Sequence, residues 1–68
     1  MKERTEHSLV TTSHKFKREG QLIPADSQGT IIHVYKGKNA YAVEFTDLPN
    51  NPIVTMYESD MTPNEEAL

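Results

Sequence analysis

The side chains able to carry chemistry are few and widely spaced. The chain has three histidines, ten carboxylates and no cysteine. His7 and His14 are seven positions apart and His33 stands further on, so no pair has the spacing of a compact metal-ligand motif. Zinc fingers built on cysteine are excluded outright. Ordinary surface histidines account for all three, and neither a metal nor a cofactor is expected. His33, facing Ala42 and diagonal to Glu44 across a strand pair, is expected to make an exposed cross-strand contact. Ser8, Ser13, Ser27 and Ser59 lack a G-x-S-x-G elbow and an oriented base, which nucleophilic catalysis needs. Glu44, Glu58 and Asp60 include enough carboxylates for an acid–base pair, but a solvated face explains them more simply. Gly20, Gly29 and Gly37 are isolated and form no phosphate-cradling loop. No catalytic residue, and no enzyme, is expected.

Two groupings suit recognition rather than reaction. His14-Lys15-Phe16-Lys17-Arg18 sets basic side chains around one aromatic, as in proteins that hold single-stranded nucleic acid. A solvated loop whose Phe16 covers one end of the core explains the same run. Charge favours the second view. Residues 1–18 sum to +3 and residues 19–68 to −6, for a net −3, so the body of the chain is acidic where nucleic-acid binding needs a broad positive surface. The second grouping is aromatic. Tyr35 and Tyr57 fall where they can point away from the core, and with Phe16 they form an amphipathic patch of the kind interfaces favour. Strand-surface tyrosines are the plainer alternative. The expected partner-binding residues are Tyr35, Tyr57, His33 and Phe16. Their partner is expected to be another protein or a second copy of the chain, with nucleic acid disfavoured.

These side chains need a scaffold, and residues 29–46 supply its centre. Two runs rich in Ile, Val, Tyr and Phe flank Lys36-Gly37-Lys38-Asn39, which predicts a β-hairpin. Gly37 and Asn39 tolerate the positive φ of a tight reversal. With those four residues as the loop, Tyr35 faces Ala40, Val34 faces Tyr41, Ile32 faces Val43 and Thr30 faces Phe45. One face then carries Thr30, Ile32, Val34, Tyr41, Val43 and Phe45, and is the better core. Gly29 marks a turn into the first strand. Further strands are expected over residues 7–13, 53–57 and 61–62, with a brief extended piece at Leu22-Ile23-Pro24 and a 3₁₀ turn at Glu58-Ser59-Asp60. Residues 14–21 read as a polar loop. Five short strands in 68 residues predict an all-β fold, a small closed or half-open barrel. Its expected core is Val10, Leu22, Ile32, Val34, Tyr41, Val43, Phe45, Val54, Met56 and Met61. The expected organisation is a polar arm over residues 1–7, one barrel domain over 8–63 and a loose tail over 64–68. No apolar run approaches the ~20 residues of a membrane span. A charged N-terminus and the lack of cysteine suit the cytoplasm.

The order of these elements resembles the SH3-like barrels. The words Ile23-Pro24-Ala25, Gly29-Thr30-Ile31-Ile32-His33-Val34-Tyr35, Ala40-Tyr41-Ala42-Val43-Glu44-Phe45, Val54-Thr55 and Asp60-Met61 resemble, more closely, an uncharacterised family of small stand-alone bacterial domains with that barrel. The resemblance spans roughly residues 8 to 63 and implies a five-stranded SH3-like fold. The long polar N-terminus and Asn50-Asn51-Pro52 depart from the family pattern. Some members are encoded beside toxin-like genes, which implies a partner-binding role or the neutralising of a toxin-like neighbour. Other SH3-like barrels serve as structural accessory domains. The acidic and aromatic loop that lines the proline groove of SH3 domains is missing here.

Overall fold

The computed structural model describes residues 5–62. The expected tail at 64–68 and the first four residues of the expected arm lie outside the described residues. Six strands follow in order: β1 (Leu9–Thr11), β2 (Phe16–Arg18), β3 (Gln21–Ile23), β4 (Gln28–Tyr35), β5 (Ala40–Glu44) and β6 (Ile53–Tyr57). A 3₁₀ turn, Glu58–Asp60, comes after β6. The four-stranded antiparallel sheet has the order β1-β4-β5-β6, and β2-β3 form a separate hairpin. The protein is all-β. The described residues form six strands in two sheets with no closed barrel, where five strands in a closed or half-open barrel were expected, and the expected closing strand at 61–62 shrinks to one bridge, Thr12 to Met61. The Thr62 amide extends that bridge by donating to the Thr11 carbonyl at 2.9 Å.

The central hairpin forms around residues 36–39 as expected, with Gly37 at φ 79° and Asn39 at φ 53°. Tyr35 pairs with Ala40 and Val34 with Tyr41. The expected pairing of Ile32 with Val43 is wrong, because Ile31 takes that place and Ile32 is the extra residue of a bulge between Ile31 and His33. The same shift sets Thr30 opposite Glu44 rather than Phe45. Strict alternation cannot bring both Ile31 and Val34 inward, since they are three apart. The bulge does so, leaving Ile31 with no exposed surface and Ile32 at 38% exposure. Gly29 is likewise no turn. It lies buried inside β4, where an added Cβ would stand 2.5 Å from Val43 Cγ1 and 2.9 Å from the Phe45 ring, so those side chains pack directly on its backbone.

Most of the expected loop over residues 14–21 belongs to the β2-β3 hairpin, which begins at Phe16, runs on to Ile23 and is reversed by Glu19 and Gly20 at φ 55° and 79°. A two-residue turn with both φ positive matches the twist of paired strands. Leu22, expected in the core, points outward opposite Lys17, while Ile23 is fully buried. The core is one cluster of Val10, Ile23, Ile31, Tyr41, Val43, Phe45, Val54, Met56 and Met61, with Phe16, Val34 and Leu48 packed at its margin. Thr12 anchors the β3-β4 connection to this cluster. Its buried hydroxyl donates to the Pro24 carbonyl and accepts from the Ser27 amide, both at 2.8 Å.

Candidate functional site

The ladder between β5 and β6 decides which backbone groups remain for other partners. The Phe45 amide donates to the Pro52 carbonyl just beyond the strands, so the pairs 43/54 and 41/56 exchange hydrogen bonds with each other. Residues 53, 55 and 57 therefore turn their amides and carbonyls to the free edge of β6. Two of these groups are taken by side chains. Arg18 Nη1 donates to the Thr55 carbonyl at 3.0 Å, and the Tyr57 amide donates to Asp60 Oδ2 at 3.0 Å. The two side chains also join each other, Nη1 to Oδ2 at 2.7 Å. The ion pair thus offers the edge one donor and one acceptor, as an added strand would, and covers its Thr55–Tyr57 end.

His14 completes the cluster, with Nε2 at 3.1 Å from Asp60 Oδ1. Asp60 is buried, and burial alone would raise its carboxyl. The Arg18 hydrogen bond, the Tyr57 amide, the Arg18 charge and the His14 contact together outweigh that and hold it below the usual carboxylate range. The Arg18 guanidinium lies 4.5 Å from the Phe16 ring centre and 5.6 Å from that of Tyr57, within cation–π range of both.

From this cluster an aromatic band crosses the outer sheet face. Tyr57 is paired with Ala40 and Ala40 with Tyr35, so the two tyrosines share a face two strands apart, about 10 Å between their backbones. Both are exposed, and Ala40 and Ala42 form a low buried floor beside them. The His33 ring meets Tyr35 edge-on at 4.7 Å between centroids. His33, Tyr35 and Tyr57 therefore lie along one band of the outer face, and Arg18 at its end links Tyr57 to Phe16, which packs against the margin of the core. Sequence reasoning placed Tyr35 and Tyr57 outward but missed Arg18, Asp60 and His14 as a unit. Phe16 and Arg18, two apart, would have been set on one face had residues 16–18 been read as a strand.

The basic run does not present its full charge to solvent, because His14 and Arg18 turn toward Asp60. The three histidines take different partners. His14 meets Asp60, His33 stands 3.8 Å from Glu6 Oε2, and the His7 amide donates to the Ile31 carbonyl. Among the described residues no helix is long and apolar enough to cross a membrane. Comparison of the chain with protein-family models, curated proteins and solved structures gives no match.

Proposed function

We propose that the chain is a non-enzymatic SH3-like β-barrel module that binds another protein, or a second copy of itself, through the outer face of β4, β5 and β6. One observation carries this reading: an exposed tyrosine on each side of the low Ala40 floor, continued by Arg18 and Phe16 across the β6 edge. Tyrosines held on a rigid sheet offer large apolar area and a hydroxyl at low entropic cost, as interface anchors do. The pairing of Thr12 with Met61, which joins the end of β1 to the segment after the 3₁₀ turn, supports the SH3-like assignment. So does the 3₁₀ turn before Met61. The family resemblance makes a toxin-like neighbour the first partner to try.

The test is the double variant Tyr35→Ala, Tyr57→Ala. It is expected to keep the wild-type circular dichroism spectrum and to lose either its captured partner or its dimeric mass in light scattering. A folded double variant with unchanged mass and unchanged partners overturns the reading.

A further inference from the structure

We propose that Arg18 gives this surface its specificity by gripping a carboxylate on an acidic segment of the partner protein. This rests on the protein-binding reading above and names the chemistry of the partner. Nη1 makes both of the guanidinium's hydrogen bonds, to Asp60 and to the Thr55 carbonyl. Nε and Nη2 make none. No described side-chain nitrogen or oxygen is both fully enclosed and without a partner, so these two donors keep some surface open to a ligand. They are the edge of the guanidinium that matches a carboxylate with two parallel hydrogen bonds. The group is also preorganised. Asp60 and Thr55 fix one end, the Phe16 and Tyr57 rings flank it, and the side chain is only 29% exposed. Little rotamer freedom remains to be lost on binding.

Cationic segments adjoin both ends of this surface, where an acidic occupant would meet them. All the described Lys and Arg residues lie in segments 15–18 and 36–38, beside Phe16 and Tyr35. Of the acids beside this surface, Asp60 is held by Arg18 and His14 and Glu58 accepts from the Tyr41 hydroxyl at 2.6 Å, while Glu44 lies further along the same face. A nucleic acid would need several phosphates neutralised at once, and one half-screened guanidinium does not supply that. One carboxylate on Arg18, with an apolar neighbour resting on Tyr57, fits an acidic peptide segment.

The full chain contains two arginines, Arg4 and Arg18, so a ¹⁵N spectrum has two Nε–Hε signals, which Arg4→Lys assigns. The probes are acetyl-Glu-Leu-Glu-Leu-Glu-Leu-amide, its all-Gln analogue and inorganic phosphate. The Glu peptide is expected to shift the Arg18 signal saturably, with the Gln analogue and phosphate at least about tenfold weaker. Arg18→Lys, checked for folding by thermal melting, is expected to lose the preference for Glu over Gln. A silent Arg18 signal, or equal response to Glu and Gln peptides, overturns the proposal. Phosphate acting as well as the peptide also overturns it, by making the contact a general anion site. If both peptides shift the Tyr35 and Tyr57 signals equally while Arg18 stays silent, the role of Arg18 fails and the aromatic surface stands.

Discussion

The Asp60 carboxylate stays charged in a buried place because donors reach it from two separate elements. Arg18 and His14 come from the β2 side, and the Tyr57 amide from the end of β6. Each removes part of the penalty for taking the charge out of water. Its folded pKa lies below the unfolded value of about 3.9, so the resulting stabilisation is complete above that pH and is lost as pH falls through the folded pKa. Wild type is therefore expected to lose stability below about pH 4 more steeply than Asp60→Asn. Near pH 7 the variant should be less stable by about 1.5–3 kcal/mol, the range for a hydrogen bond to a charged group. Urea melts of both proteins from pH 7 to pH 2.5 check this. A constant difference across the range would mean that Asp60 acts by shape and not by charge.

At the scale of elements, what was legible followed local rules. Residues 36–39 declare a turn, and the apolar runs on either side declare strands, so Val34 meets Tyr41 and Tyr35 meets Ala40 as expected. The bulge at Ile32 was hidden because Ile31 and Ile32 are adjacent and equally apolar. What separates them is tertiary. Gly29 lets Val43 and Phe45 lie against the backbone, which commits the inward set to Gly29, Ile31 and Val34. The β2-β3 hairpin was hidden for another reason. Its strands are short and charged, and its cohesion comes from Thr12, Asp60 and Thr55, distant in sequence. Arg18 and Asp60 therefore could not be paired before the chain was folded. The bulge makes a sharp prediction. Ile31→Ala should cost about 2–5 kcal/mol, whereas Ile32→Ala, at a 38% exposed position, should cost less than about 1 kcal/mol. Denaturant midpoints of the two variants decide it, and equal losses would restore strict alternation in β4.

The whole molecule rests on one small core. The chain has 68 residues and no cysteine, its described residues bury one apolar cluster to oppose the conformational entropy, and a core of that size supplies about 3–5 kcal/mol. Phe45 is the largest side chain in that cluster with no exposed surface. It lies just past β5, its amide donates to the Pro52 carbonyl, and its ring packs over Gly29 in β4. One residue thus ties the β5-β6 connection to the strand that pairs with β1. Gly29 has no side chain to swing into the space a lost ring would leave, and the backbone of β4 is held on both sides by its neighbours. The cavity of Phe45→Ala should collapse poorly, at a cost of about 3–5 kcal/mol. That equals the whole stability expected at this size, so the variant should be largely unfolded at 25 °C, with a flat near-ultraviolet spectrum and no cooperative melt. A cooperative transition close to that of wild type would show that stability comes from elsewhere, most directly from self-association, and wild-type melting would then depend on protein concentration.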